Sequence, residues 1–235
     1  MKVLRPTLAA FTGSSELFLA EARIARSLPC AQLVPVYDVG TTSLGLPFFT
    51  MRFAEGGNLE THARYHGTTM TSGDVVSVVD AVSAGLDALH RCGLTHCDVK
   101  PSNILHFTGQ RWPSWALGDL GLAHRVHQPI KAGTGSFGYS ATELRNGGQP
   151  SPRSDIYSLA MTASYILNVV FGWESPQSTN VAIATALSSD PADRQCSARE
   201  FFTQFRSELF IGSQPEIAEC THNSLHFDRA LSAST

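Results

Sequence analysis

The stretch that most limits what this chain can become is His96-Cys97-Asp98-Val99-Lys100-Pro101-Ser102-Asn103. A carboxylate, an ammonium and an amide fall within six residues, Asp98 to Asn103, and Pro101 fixes the backbone between them. Such a set suits phosphoryl transfer. The carboxylate orients or deprotonates a hydroxyl, the lysine neutralises a migrating phosphate, and the amide oxygen helps hold a metal. Sixteen residues beyond Asn103 stands Asp119-Leu120-Gly121, a second carboxylate followed by a flexible residue.

A loop of this kind needs a scaffold, and the sequence supplies one just ahead of it. Over 74–91, Val75, Val79, Val82, Leu86 and Leu89 step by four, three, four and three residues, an apolar stripe for a buried helix face. Gly93 follows as its C-terminal signal. A second helix is expected over 15–28 from Leu17, Ile24 and Leu28 on one stripe, with Glu21 close to it. Two apolar runs, 32–39 and 47–53, are separated by Gly40-Thr41-Thr42-Ser43-Leu44-Gly45 and read as a hairpin. Lys2 to Pro6 reads as the end of a short strand. Asn103 to Phe107 and Trp115 to Gly118 read as two short strands about a turn at Thr108-Gly109, which would bring Asn103 and Asp119 near one metal. A buried helix is expected from Ser154 to about Val170, another near Val181, and a last one after the capping sequence Ser197-Ala198-Arg199-Glu200.

Composition narrows the class. The chain has 235 residues, 43% hydrophobic and 16% charged, enough for one large or two small soluble units. Its net charge is −3 with no basic run, so nucleic acid and anionic membranes are not expected partners. The five cysteines are odd in number and irregularly spaced, without CxxC, which points to a reducing compartment, the cytoplasm. The run 156–170 carries Ser158, Thr162, Ser164 and Asn168 and suits a buried helix rather than a membrane span. His90, Cys92, His96 and Cys97 raise zinc as a rival, but His96 and Cys97 are adjacent and no second paired cluster follows.

The string H-x-D-x-K-P-x-N followed by D-x-G resembles the catalytic and metal-binding loops of the protein kinases, most closely the bacterial serine/threonine type. The resemblance runs from about Lys2 to Leu209. It implies an α+β, two-lobed protein-kinase-like fold, with a truncated small β lobe over 1–53, a mainly helical large lobe over 54–212, and a polar tail over 213–235 without periodicity. It implies ATP and Mg²⁺ as cofactors, and protein substrates phosphorylated on serine or threonine. Asp98 would be the catalytic base and Lys100 the neutraliser of the γ-phosphate. Asn103 and Asp119 would hold the metal. Lys2 and Glu21 would clamp the α- and β-phosphates, although alone they read as a terminal lysine and a solvated helix carboxylate. Met51 would back the adenine pocket, with the backbone of Arg52 and Ala54 bonding adenine. Gly133 to Glu143 resembles the end of the activation segment, with Ser136 touching Asp98 and Lys100 and Thr134 as a phosphosite. Asp155 would brace the catalytic loop, and Arg194 of Asp190-Pro191-Ala192-Asp193-Arg194 would pair with Glu143.

Four departures accompany the resemblance. No Gly-x-Gly-x-x-Gly stands ahead of Lys2, so weaker nucleotide positioning is expected, in either a fragment or a reduced protein. Cys97 replaces the usual arginine, which argues against activation by a loop phosphate paired to it. Leu120 and Thr142 replace a phenylalanine and a proline. Only a short segment separates Gly172 from Val181, where the family has a docking helix. The alternatives are a nucleotide- or protein-binding scaffold of the same fold without catalysis, and a small-molecule kinase.

Overall fold

The stripe on 74–91 forms the central helix of the computed structural model, which describes residues 1–9, 13–28, 30–109, 114–126, 128, 130–172 and 180–211. The polar tail, Cys220 and the connection at 173–179 lie outside the described residues. In chain order the elements are β1 (Lys2–Val3), α1 (Pro6–Ala9), α2 (Ser14–Ser27), β2 (Val36–Thr41), β3 (Pro47–Met51), α3 (Leu59–His66), α4 (Ser72–Arg91), β4 (Leu94–Thr95), β5 (Ile104–His106), β6 (Trp115–Leu117), β7 (His124–Arg125), α5 (Thr142–Arg145), α6 (Pro152–Phe171), α7 (Val181–Ala186) and α8 (Ala198–Ile211).

Helix α4 starts two residues before the expected Asp74. Thr71 caps it: its hydroxyl accepts the Asp74 N–H, while the Asp74 carboxylate accepts the Thr71 N–H at 2.7 Å. All five stripe residues are fully buried. Each such side chain contributes roughly 1.5–3 kcal/mol relative to exposure. The stripe packs against α6, α8 and β6. The chain leaves the helix through Gly93, at φ 69°.

Half of the residues of helix α6 are buried, hydroxyls among them. Ser158 donates to the Ser154 carbonyl at 3.2 Å and Thr162 to the Ser158 carbonyl at 2.9 Å. Bonding back to the preceding turn lets these residues sit in a core helix. Phe201, Phe202, Phe205 and Leu209 of α8 complete the large core.

A smaller core lies under a three-stranded antiparallel sheet ordered β1-β3-β2. Leu4, Phe18, Ala22 and Phe49 form it, so α2 packs on this sheet. The expected hairpin is β2–β3, with Gly40 opposite Phe48. Leu17, expected on the α2 stripe, has its side chain outside the described residues.

Helix α3 has no counterpart in the sequence reading. Asn58 caps it by accepting the Thr61 N–H at 2.9 Å, and the Thr61 hydroxyl takes the Asn58 N–H in return. The capping sequence at 197–200 is half formed. Ser197 accepts the Glu200 N–H, but the Glu200 carboxylate takes the N–H of Cys196, one residue earlier than expected.

Candidate active site

The β5–β6 hairpin explains why Asn103 and Asp119 meet. Ile104 pairs with Leu117 and His106 with Trp115. The ladder closes with the Gly118 N–H donating to the Asn103 carbonyl at 2.8 Å. Asn103 and Asp119 therefore lie side by side at the open end of one short ribbon, one just before β5 and the other just after β6. They line a cavity of about 180 Å³ together with Lys2, Glu21, Met51, Ser102, Leu105 and Gly118. An adjoining groove of about 380 Å³ shares Met51 and Leu105 and adds Arg52, Phe53, Ala54 and Asn58. The Arg52 N–H donates to the Pro35 carbonyl at 3.2 Å and the Ala54 carbonyl accepts the Gly57 N–H at 3.1 Å, which fixes the backbone along this groove.

Two charged clusters flank Asn103. In the first, Lys2 Nζ lies 2.8 Å from Glu21 Oε1 and 2.9 Å from Asp119 Oδ1. Burial opposes the Lys2 charge, but the hydrogen bond to Glu21 and the two carboxylates outweigh it and raise its pKa. Burial also opposes the Asp119 charge, and Lys2 outweighs it there, holding that carboxyl below its usual range. Glu21, 6% exposed, goes the other way: burial pushes its carboxyl up, and Lys2 only partly offsets this.

In the second cluster, Lys100 Nζ lies 2.8 Å from Asp98 Oδ2 and donates to Ser136 Oγ at 2.6 Å. Ser136 Oγ donates in turn to Asp98 Oδ1 at 2.8 Å. Asn103 Nδ2 donates to the Asp98 carbonyl at 2.8 Å and to Asp98 Oδ2 at 3.1 Å. The amide nitrogen thus fixes the loop, which leaves the amide oxygen for a cation. Gly135 admits this arrangement: it sits at φ +90°, and a Cβ there would lie 2.7 Å from the Cys97 carbonyl.

Beneath the loop, fully buried Asp155 accepts the His96 N–H at 2.8 Å and the Cys97 N–H at 2.9 Å, and His90 Nε2 lies 2.8 Å away. The Asp98 N–H donates to His96 Nδ1 at 3.2 Å, so the His96 proton is on Nε2, which bonds the Gly118 carbonyl at 3.0 Å. One buried imidazole therefore ties the Asp98 loop to the Asp119 strand end. The sequence reading raised His90 and His96 as rival zinc ligands, and it carried no signal of the contact between His90 and Asp155, 65 positions apart. Cys97 is buried beside Thr95; burial and the Asp155 charge push its thiol up to about 12. Among the described residues no group of three or more His, Cys, Asp or Glu side chains could hold a metal. Arg194 pairs both carboxylate oxygens of Glu143, at 2.8 and 3.0 Å, and Ser154 donates to the same carboxylate. Thr134 donates to the Lys131 carbonyl at 2.6 Å.

The protein kinase domain family matches residues 2–210. The serine/threonine-protein kinase PknK of Mycobacterium bovis is 30% identical over 222 residues, covering 81% of this chain and 20% of that protein. The serine/threonine-protein kinase PknJ of Mycobacterium tuberculosis is 29% identical over 245 residues, covering 91% of this chain and 41% of the relative. The chain thus spans less than half the length of these relatives. The crystal structure of the Mycobacterium tuberculosis PknI kinase domain superposes with a TM-score of 0.70 at 26% identity, covering 88% of this chain and 84% of that one. With the two-lobed α+β fold and the family match over residues 2–210, the chain belongs to the protein kinase family.

Proposed function

We propose that this chain transfers the γ-phosphoryl group of ATP to serine or threonine hydroxyls of protein substrates. The observation that carries this reading is the Ser136 hydroxyl, held between Asp98 Oδ1 and Lys100 Nζ at 2.8 and 2.6 Å. A substrate hydroxyl has the same chemistry and needs the same reach. Asp98 takes its proton as the oxygen–phosphorus bond forms, and ADP leaves with the bridging oxygen. Lys100 neutralises charge on the migrating group.

The remaining roles follow from donor chemistry. Lys2, braced by Glu21, grips the α- and β-phosphates. Met51 backs the adenine, and the backbone of Arg52 and Ala54 hydrogen-bonds it. Asn103 and Asp119 offer two hard oxygen donors in one cavity, which fits Mg²⁺, an ion that draws its other ligands from water and phosphate. Bound there, Mg²⁺ would neutralise charge developing on the phosphates. Residues 1–53 and 54–212 serve as the small and large lobes, with the nucleotide between them. The four described cysteines are free, in keeping with a cytoplasmic protein. No helix among the described residues is long and apolar enough to cross a membrane.

The test is incubation with Mg²⁺ and ATP labelled at the γ-position, together with serine- and threonine-containing peptides, followed by hydrolysis. Labelled phosphoserine or phosphothreonine is expected. Nucleotide binding without label in any product would support the scaffold instead, and label in small molecules alone would support a small-molecule kinase.

A further inference from the structure

Four rings that the proposed chemistry does not use pack together behind the site. His106 of β5 stacks on Trp115 of β6, with centroids 4.4 Å apart and an interplanar angle of 25°. His62 of α3 meets His106 at 4.7 Å and Trp115 at 5.2 Å, both edge-on. His66, one turn further along α3, lies 4.9 Å from His62. The Nδ1 atom of His106 is buried and has no hydrogen-bond partner. It presses on Gly56, where a Cβ would overlap the His106 ring, so only glycine fits. His106 also bonds this loop through its backbone. Its N–H donates to the Gly57 carbonyl at 2.9 Å, and its carbonyl accepts the Gly56 N–H at 3.1 Å.

We infer that the His62–His106–Trp115 cluster is an acid-sensitive latch, closed while its imidazoles are neutral, that clamps the β5–β6 hairpin to α3 and to the Gly56-Gly57 loop. The geometry makes a charged latch unfavourable. An imidazolium carries N–H at both ring nitrogens, so protonated His106 would aim a buried donor at backbone that offers it no acceptor. Two imidazoliums 4.7 Å apart would also repel in a site partly closed to water.

The groups facing the cluster act in both directions. Asp74 at the start of α4 and Glu55 in the loop before α3 favour a cation, as does the face of Trp115; His66 opposes one. Burial is the largest effect on both rings, and it holds His62 and His106 below the ordinary imidazole value. With the closed-state value lowered, the latch is intact above the ordinary value of about 6.5 and loses stability as pH falls through it. Opening would loosen the ribbon that carries Asn103 and Asp119, together with the loop after Ala54. That consequence for nucleotide handling rests on the proposed kinase activity; the titration and the opening do not.

The test uses the full chain and reads no phosphoryl transfer. Imidazole NMR should show His62 and His106 titrating below about 6.5. Amide-exchange protection at Gly56 and His106, corrected for the intrinsic pH dependence, should fall between pH 7.5 and 5.5. The fall should reach up to about tenfold per pH unit for each proton that only the open state takes up, while α4 amides hold. His62→Phe keeps an apolar ring and should flatten that fall. Titration of both histidines at or above the ordinary value would overturn the latch, and so would an equal fall in the wild type and His62→Phe. If His62→Phe does not fold, the wild-type titration decides.

Discussion

The buried carboxylate of Asp155 accepts the backbone N–H of Cys97 at 2.9 Å, and Cys97 is one of two non-glycine residues, among those described, at positive φ, here 64°. The left-handed turn that aims Asp98 is thus held from below by a residue 58 positions on. Such a conformation costs of order 1–3 kcal/mol and persists where its surroundings enforce it. Asp155→Ala would leave the buried N–H groups of His96 and Cys97 without their acceptor. It should cost about 3 kcal/mol of stability in urea unfolding and lower phosphoryl transfer in the fraction still folded. An unchanged midpoint with full activity would count against the brace.

The Cys97 thiol should be inert in the native state. It is 1% exposed and pushed up to about 12, whereas Cys92 and Cys196 are exposed. Native alkylation followed by mass spectrometry should label Cys92 and Cys196 first, and Cys97 only after denaturation. Equal labelling rates would contradict the burial.

Glu21 separates stability from function. Burial raises its carboxyl against the pull of Lys2, so the folded state holds its proton more tightly than the unfolded chain does. Its contribution is fully present below the unfolded value of 4.5 and is lost as pH rises through the folded one. Near neutral pH burial opposes the ionised carboxylate and Lys2 is about a third exposed, so Glu21→Gln should shift stability by less than about 1 kcal/mol. It should still lower kcat/KM by at least about tenfold, because Lys2 loses its anchor. Calorimetry beside steady-state kinetics reads both.

Arg194 and Glu143 form a structural pair. Burial disfavours the Glu143 charge, but the Arg194 hydrogen bond leads the effects that outweigh it and hold this carboxyl below 4.5. With the folded value depressed, the contribution is present above that pH and lost as pH falls through the folded value. Arg194 is 2% exposed. Arg194→Ala should cost about 3 kcal/mol by urea unfolding at pH 7, and the difference from wild type should shrink in acid below 4.5. A constant difference down to the acid limit would contradict the pair's role.

Gly135 offers a test of positioning. A side chain at φ +90° is strained, and its Cβ would lie 2.7 Å from the Cys97 carbonyl and 3.1 Å from Ser140 Oγ. Gly135→Ala should displace Ser136 from Asp98 and lower kcat by at least about tenfold, with nucleotide affinity retained. Wild-type kcat would show that the close approach is dispensable.

Much of this was legible in the sequence because it is local. The α4 stripe, the β2–β3 turn and the Asp98-to-Asn103 spacing each lie within one window of the chain, where periodicity and motif carry information. Helix α3 was missed although Asn58 and Thr61 stand at capping spacing; only eight residues long, it offers too short a stripe. The contacts that assemble the site are not local. Lys2 reaches Glu21 across 19 positions and Ser136 reaches Asp98 across 38, and only the family resemblance pointed to these; the contact of Lys2 with Asp119, across 117 positions, had no sequence signal. The ring cluster was invisible, since nothing in the sequence brings His62 to His106 and Trp115.

If Asp98 accepts the proton of a protein hydroxyl during transfer from ATP, removing its charge should slow the chemical step and leave nucleotide binding intact. Single-turnover transfer by the wild type and Asp98→Asn, beside Mg–nucleotide affinity for each, measures both. A fall of roughly 10²–10⁴-fold in rate with affinity little changed is the predicted result. Equal rates in the two proteins, or binding without transfer in the wild type, would contradict it.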